Sequence, residues 1–367
     1  MKGKVQMKKV IALVLALCTV FTLCACGAKT ETPATPAASD APAATEGTSS
    51  APVEEPAKEY SGTVMLYSSM AEDVLIALQE RFHEIYPKVQ LDYYQAGSGK
   101  VTTKLTTELQ AGSVSCDVVW LADASEFVEY KEAGNLIAYE SPYAATVPEM
   151  FKDPDNAYIG ARAVLTGFCY APDTVGTVPT AWEDLLKEEY KGNILMTDAG
   201  ASGSMKTWLY AIANCPDYGW EFIEGLKANG LELESGTSAT HNKVATGAYK
   251  VGIGVDFVTK NLIASGSNIG WQDVTNNAIA YYSPIAIVKG CPDEELAKLL
   301  YDFIMNPEEG QVILANNNVT PVQPATPIPD GMYSASWIAE NALYVDVAKM
   351  AAESAELLAK YDALFKS

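Results

Sequence analysis

Four short turns rich in serine, threonine and glycine each precede a segment with helical periodicity. The first backbone N–H groups of a helix have no partner within it, and the helix dipole adds partial positive charge there. Together with side-chain hydroxyls, these groups suit an anion. Serine is also a common N-cap, so each turn alone has a structural explanation, and their repetition carries the prediction. The predicted ligand-binding residues in these turns are Ser68, Ser69, Gly97, Ser98, Ser202, Gly203, Ser204, Thr237 and Ser238.

Repeated strand–loop–helix units position these turns. Apolar or alternating segments at residues 64–67, 89–94 and 116–121 predict strands, and helical segments with apolar residues at three- and four-residue steps follow them. The same pattern returns with predicted strands at residues 192–196 and 251–255. Such repeats predict an α/β fold with parallel strands, in which ligands lie outside the carboxyl ends of the strands.

Three further polar residues follow predicted strands and belong to the same expected edge of the sheet. Asp123 and Ser125 come after the third predicted strand, and Asp256 directly follows the strand at residues 251–255. A carboxylate at Asp256 could pair with an amine or a hydroxyl of a ligand. Aspartate also caps helices well, so the alternative is that Asp256 is the N-cap of a helix starting at Phe257.

Other motifs that could carry chemistry lack the neighbours they need. The run from Gly97 to Lys100 suggests a nucleotide-binding loop, but Val101 stands where Ser or Thr is required. The two histidines, His83 and His241, have no serine or cysteine nucleophile context, and no cluster with metal-ligand spacing occurs. We therefore expect no cofactor, no metal and no enzyme activity. A lipid-anchored extracellular hydrolase is the remote alternative.

The charge and cysteine content restrict the partners further. The chain carries a net charge of −21, which becomes −25 without the four lysines of residues 1–25, so nucleic acid is excluded as a partner.

The four cysteines at positions 116, 169, 215 and 291 have irregular spacings. Buried free thiols are expected for three of them, with one disulfide as the alternative. Residues 59–367 exceed the usual size of one core, which favours two lobes.

The N-terminal residues resemble a bacterial lipoprotein signal. Four lysines precede an apolar run at residues 10–23, too short to span a bilayer comfortably, and Leu23-Cys24-Ala25-Cys26-Gly27 resembles a lipoprotein box. We predict a signal peptide at residues 1–25 and a lipid on Cys26, with an ordinary secretory signal as the alternative. Residues 26–58 are rich in Ala, Pro, Thr and Ser, and this composition predicts a disordered tether. A glycosylated segment is the alternative explanation of the same composition.

Several motifs of the folded part occur in an order that resembles a known family. They are Val64 to Ser69, Gly97-Ser98-Gly99, Asp117 to Trp120, Thr166 to Tyr170, Val244 to Gly247, Val251 to Ile253 and Ala286 to Gly290. Between residue 61 and about residue 322, the chain resembles the solute-binding lipoproteins of bacterial ABC importers. The resemblance is to the branch that contains ferric-ion, thiamine, hexose-phosphate and aminoethylphosphonate binders.

This resemblance implies a fold and a set of partners. The fold would be two α/β lobes with a strand hinge and a cleft between them, as in type 2 periplasmic binding proteins. Residues 59–168 and 284–320 would form lobe 1, residues 169–283 lobe 2, and residues 321–367 a C-terminal helical segment. Crossings are expected near residues 168–170 and 283–286. The protein would be an extracytoplasmic monomer, anchored to the cell membrane, that delivers a small anionic solute to ABC permease subunits with their ATPase.

Departures from the family's pattern bear on the solute. Iron-binding members carry adjacent tyrosines where this chain has Asp256-Phe257, and tend to carry a histidine where Met70 stands. Ferric ion needs hard anionic oxygen ligands, so a ferric receptor is the alternative rather than the leading interpretation. A phosphonate, a phosphate ester or a carboxylate suits the serine-rich turns better.

Overall fold

The computed structural model describes residues 58–367. The predicted signal peptide, the lipid-attachment residue Cys26 and nearly all of the predicted tether lie outside this range. A curled mixed β-sheet is formed by strands between Gly62 and Pro321. The eleven strands, in chain order, are β1 (Gly62–Ser68), β2 (Val89–Gln95), β3 (Val118–Trp120), β4 (Leu136–Ile137), β5 (Ile159–Tyr170), β6 (Ile194–Thr197), β7 (Leu231–Glu234), β8 (Val251–Val255), β9 (Gly270–Asp273), β10 (Ile279–Val288) and β11 (Thr320–Pro321).

Helices alternate with these strands and cover the sheet. Short 3-10 helices occur at Ala144–Thr146, Glu149–Phe151, Trp182–Leu186 and Glu188–Tyr190. The α-helices are α1 (Glu72–Ile85), α2 (Ser98–Ala111), α3 (Ala124–Glu132), α4 (Gly203–Asn214), α5 (Gly219–Ala228), α6 (Thr237–Ala245), α7 (Asp256–Ala264), α8 (Glu294–Met305), α9 (Gly310–Asn316), α10 (Ala335–Asn341) and α11 (Val347–Phe365).

The pairing of the strands divides the sheet into two lobes. In the first lobe β1 pairs in parallel with β2 and β3, and in the second lobe β6 pairs in parallel with β7 and β8. The main path runs β2-β1-β3-β10-β5-β8-β6-β7. The predicted architecture of two α/β lobes joined by strands is therefore confirmed.

Strands β5 and β10 join the lobes. The first part of β5 pairs antiparallel with β10, and from Thr166 to Tyr170 it pairs with β8 of the second lobe. Strand β10 shifts register between Ser283 and Pro284 and then pairs with β3 of the first lobe. The chain thus passes between the lobes along two adjacent strands. The exact lobe boundaries given above remain a prediction.

Periodicity in the sequence predicts the best-formed elements well. Strand β8 begins and ends where the apolar pattern places it. In α1 the buried residues are Val74, Leu75, Leu78 and Phe82, at the predicted three- and four-residue steps. Each buried aliphatic or aromatic side chain of this kind contributes about 1.5–3 kcal/mol to folding. Such helices therefore fix the strand ends on which the site depends.

The cysteines and the C-terminal helices complete the architecture. Cys116, Cys169 and Cys215 are buried free thiols and Cys291 is a half-buried one, as expected. Helix α11 lies against α3 of the first lobe and against α4 and α5 of the second. Among residues 58–367 no helix has both the length and the apolar character that crossing a membrane requires.

Candidate functional site

A cavity of about 500 Å³ lies between the two lobes at the carboxyl ends of the parallel strands. Its volume is within the range of small-molecule sites, about 300–1,000 Å³. Residues from all four predicted turns line it, which brings together segments far apart in sequence. The predicted residues that line the cavity are Ser69, Gly97, Ser98, Ser202, Ser204, Thr237 and Ser238.

Five helices direct their N-termini at this cavity. The N-cap residues of α1, α2, α4, α6 and α7 all belong to its lining, and they are Ala71, Gly97, Ser202, Gly236 and Val255. Each helix end adds partial positive charge and N–H groups that have no partner within the helix. The cavity therefore favours a negatively charged ligand more strongly than any single turn would.

Arg162 of β5 supplies a full positive charge to the cavity. Its side chain is 2% exposed, and its Nε and Nη1 atoms donate no hydrogen bond to any described residue. A buried guanidinium normally has a carboxylate partner, because an unpaired buried charge costs several kcal/mol. The charge of Asp256 favours the ionised form of Arg162, but Nε and Nη1 remain without acceptors. A ligand with an anionic group would complete these hydrogen bonds through the planar N–H fork of the guanidinium.

Aromatic rings hold the guanidinium in place without neutralising it. Its central carbon lies 5.8 Å from the ring centroid of Trp120 and 4.9 Å from that of Phe257. Such contacts are worth about 0.5–2 kcal/mol each and leave the N–H groups free. Burial lowers the pKa of Arg162, but a guanidinium remains charged at any physiological pH.

The remaining residues of the first turn and of the Asp123 loop have structural roles. The Ser68 Oγ donates to the Trp120 carbonyl at 2.9 Å and accepts from the Met70 N–H at 3.0 Å, so it fixes the turn. Asp123 is the N-cap of α3, and its Oδ1 accepts hydrogen bonds from the N–H and the Oγ of Ser125. Neither Ser68, Asp123 nor Ser125 lines the cavity.

Asp123 also takes part in an ion cluster that joins the lobes. The Nζ of Lys206, on α4, lies 2.8 Å from Asp123 Oδ2 and 3.1 Å from Glu126 Oε1, on α3. We call Asp123, Glu126 and Lys206 the cross-lobe ion cluster. Gly203, one turn before Lys206, packs against the backbone of Asp123 rather than lining the cavity. These residues hold the lobes together behind the cavity.

The position of Asp256 in the structure matches neither a carboxylate that lines the cavity nor a helix N-cap. It is 1% exposed and does not line the cavity, and the N-cap of α7 is Val255, so the N-cap interpretation is wrong. Helix α7 begins one residue earlier than expected. The carboxylate instead accepts a hydrogen bond from the Leu165 N–H at 3.4 Å, from inside the sheet.

Burial of Asp256 predicts a pH-dependent stability. Desolvation raises the pKa of Asp256 from 3.8 to about 6. The native protein thus binds this proton more tightly than the unfolded chain, and stability falls as the pH rises from about 4 to above 6. The difference corresponds to at most about 3 kcal/mol.

We expect Asp256→Asn, which keeps the hydrogen-bond acceptor, to be more stable than the parent protein at pH 8 and equal to it near pH 4. Urea unfolding at both pH values measures this difference. Asp330→Asn, at an exposed position, is the matched control and should change neither value. Equal stability of the Asp256 variant and the parent at pH 8 would contradict the prediction.

The lobes touch at the edge of the cavity through glycine backbone. A Cβ added to Gly97 would lie 2.8 Å from the Ala201 carbonyl oxygen, and one added to Gly99 would lie 2.6 Å from that of Gly200. Real Cβ atoms do not approach so closely, so only glycine permits this contact. The start of α2 therefore lies directly against the loop that follows β6.

His241 connects the start of α6 with the end of β8. Its Nε2 accepts from the Val255 N–H at 3.2 Å, so its Nδ1 carries the proton and donates to the Thr237 carbonyl at 2.8 Å. Burial lowers the pKa of His241, which keeps the ring neutral. Within the described part of the chain no group of three or more His, Cys, Asp or Glu side chains could hold a metal ion.

Arg162, which brings a buried positive charge to the cavity, was not among the predicted site residues. Arg162 is one of only two arginines in the chain, and it interrupts the otherwise uncharged strand β5. A lone charge within a fully buried strand is a signal that could have identified it. Gln95 and Lys100, which also line the cavity, flank the Gly97 turn and carried no such signal.

A family model and curated relatives match this chain. The model described as bacterial extracellular solute-binding protein matches residues 117–335. A proposed 2-aminoethylphosphonate-binding periplasmic protein of Salmonella typhimurium is 25% identical over 231 residues, which are 60% of this chain. The counterpart in Salmonella typhi matches equally. In each case the match spans 66% of the relative's own length, just under two thirds.

Solved structures share the fold at low sequence identity. The periplasmic binding protein AfuA from Actinobacillus pleuropneumoniae, with fructose-6-phosphate bound, superposes with a TM-score of 0.75 at 20% identity, covering 83% of this chain and 98% of that one. Iron-bound HitA from Pseudomonas aeruginosa superposes with a TM-score of 0.71 at 17% identity, covering 81% and 98%. The predicted type 2 periplasmic binding protein fold is confirmed.

Proposed function

The chain belongs to the bacterial extracellular solute-binding proteins, and from this premise we propose that it captures a small organic anion by closing its lobes. The observation that carries the proposal is the unpaired guanidinium of Arg162, buried in a cavity that five helix N-termini surround. A phosphonate, a phosphate ester or a carboxylate would complete the hydrogen bonds that Arg162 lacks. Hydroxyls of the four turns, including those of Ser69 and Ser98, would donate to the same group.

The residues in and around the cavity do not fit the two alternative functions, a ferric-ion receptor and a hydrolase. Ferric ion favours anionic oxygen ligands, and among the described residues that line the cavity there is no tyrosine, histidine or carboxylate. A hydrolase would need a nucleophile next to a base, and the buried His241 bonds only to backbone groups. An organic anion therefore fits the cavity better than iron or a substrate for hydrolysis.

A ligand screen tests the proposed function. Purified protein is heated with phosphonates, phosphate esters, carboxylates and ferric ion, and calorimetry measures the affinity of each compound that raises Tm. We expect anions to raise Tm and ferric ion alone to have no effect. High-affinity ferric binding, or the absence of any stabilising anion, would contradict the proposal.

Closure of the lobes has a separate test at Gly99. Alanine favours a helix by about 1 kcal/mol over glycine, so Gly99→Ala should stabilise α2 when the cleft is open. In the closed cleft its Cβ would meet the Gly200 carbonyl oxygen, and overpacking of this kind costs about 1–3 kcal/mol. We expect ligand affinity to fall by about 10- to 100-fold while the unliganded protein unfolds no more easily.

Calorimetry of Gly99→Ala and of Thr107→Ala, on the exposed face of the same helix, measures this effect. The Thr107 variant gains helix propensity but should bind as the parent protein does. Unchanged affinity of the Gly99 variant would mean that the ligand binds without this contact between the lobes.

We also propose that a lipid on Cys26 anchors the protein to the cell membrane, where ABC permease subunits with their ATPase would receive the solute. The lipoprotein box in residues 23–27 supports this anchor. Cys26→Ser should abolish labelling with a radioactive fatty acid and release the protein from the membrane fraction. Retention of the variant in that fraction, with labelling unchanged, would contradict the proposed anchor.

A further inference from the structure

The charges that line the cavity are of one sign. Arg162 and Lys100 both belong to the lining, whereas none of the described residues that line it carries a carboxylate. The helix N-termini add partial positive charge at five points. A cationic group on a ligand would therefore meet repulsion and no ion-pair partner inside the closed cleft.

Five carboxylates are adjacent in sequence to residues that line the cavity; Glu72 is exposed to solvent, and the other four already have partners. Asp123 pairs with Lys206 and caps α3, and Asp256 accepts from the Leu165 N–H within the sheet. Asp198, which follows the lining residue Thr197, pairs with Lys366, and Glu234, which precedes the lining residue Ser235, pairs with Lys243. None of these four acids is free to receive a ligand ammonium without breaking a contact that holds an element in place.

We propose that this cleft selects against zwitterionic ligands and takes anions whose remaining part is neutral and rich in hydroxyls. An ammonium enclosed without a partner loses its hydration and gains nothing in return. A hydroxyl loses less, because the lining offers the side-chain hydroxyls of Ser98 and Ser238 as hydrogen-bond partners. This inference rests on the proposed function and narrows its class of solute.

Matched pairs of ligands test the inference. The first pair is 2-hydroxyethylphosphonate and 2-aminoethylphosphonate, and the second is glucose 6-phosphate and glucosamine 6-phosphate, which differ only in a hydroxyl or an ammonium. In each pair that binds, we expect calorimetry to give an affinity about 100-fold higher for the hydroxyl member than for the ammonium member. Equal or tighter binding of the ammonium member would overturn the inference and leave the proposed anion capture intact.

A variant that adds a carboxylate to the cavity tests whether the lack of one causes the preference for hydroxyl over ammonium groups. Ser98 is the first residue of α2, where aspartate is favourable for a helix, so Ser98→Asp is expected to fold. It should shift the preference towards the ammonium member by at least about 10-fold relative to Ser98→Asn, its neutral control of the same shape. An unchanged preference would overturn the inference. Failure of all four ligands to bind would also overturn it, while anions found in the wider screen would still support the proposed function.

Discussion

Replacement of Arg162 by glutamine is expected to reduce the affinity for the anionic ligand by roughly 30-fold to more than 1,000-fold. The loss of one partner from a buried, hydrogen-bonded charge pair costs about 2–5 kcal/mol, and Arg162 is the buried cation of this cavity. Arg162→Lys keeps the charge but loses the planar fork, so we expect an intermediate affinity. Calorimetry with the anion found in the screen measures all three proteins.

The same substitution is expected to leave the stability of the protein without ligand nearly unchanged, because it removes a costly buried charge together with the contacts of that charge with the rings of Trp120 and Phe257. In the parent protein the Nε and Nη1 atoms of Arg162 are buried without acceptors, and glutamine removes the charge that makes this costly. Loss of affinity with an unchanged Tm would distinguish a ligand-binding role from a purely structural one. Arg81→Gln is the matched control, because that half-exposed arginine pairs with Glu84 and Glu309 and does not line the cavity. Undiminished affinity in Arg162→Gln would remove this residue from the site.

Local signals in the sequence predicted the part of the site that helix starts build. Ser98, Ser202 and Thr237 each stand at the beginning of a helix, and that position alone directs their N–H groups and hydroxyls to the carboxyl edge of the sheet. Parallel strands bring such edges together whatever the order of the strands. Consequently, the sequence alone was enough to predict that these seven residues of the turns lie near one another, without knowing how the lobes are arranged.

The residues that depend on long-range pairing could not be placed in this way. Arg162 enters the cavity because β5 pairs with both β10 and β8, and no local pattern fixes that register. Asp123 follows a strand as the other candidates do, but Lys206 of the opposite lobe binds it. Strands β9 and β11 were not predicted either, because segments of four and two residues carry too little periodicity.

Loss of the cation in the cross-lobe ion cluster should have the largest effect on stability. Lys206, Asp123 and Glu126 have side chains that are 7%, 3% and 15% exposed, so solvent cannot replace a missing partner. Lys206→Met leaves two neighbouring carboxylates buried, and we expect it to lower the free energy of unfolding by about 3–5 kcal/mol at pH 8. Lys349→Met on α11, whose lysine is exposed, is the matched control.

The pH dependence of that loss follows from the carboxylates. Desolvation, with the charge of Asp123, raises the pKa of Glu126 from 4.5 to about 7, so the native protein holds this proton more tightly than the unfolded chain does. Stability therefore falls as the pH rises between these values, and without Lys206 nothing offsets the charge that remains above them. We expect the cost of Lys206→Met to be greatest at pH 8 and much smaller near pH 5.

A second substitution should restore most of the lost stability. Glu126→Gln in the Lys206→Met background removes one of the two unpaired charges, while Asp123 keeps its hydrogen bonds with Ser125 at the start of α3. Buried ion pairs are often replaced by neutral groups at little net cost, whereas removal of one partner alone is strongly destabilising. Urea unfolding of the two single variants and the double variant at pH 5 and pH 8 gives the coupling energy directly. If Lys206→Met alone left stability unchanged at pH 8, the three side chains would not be paired in solution, and the lobes would be held together by α11 and the two joining strands.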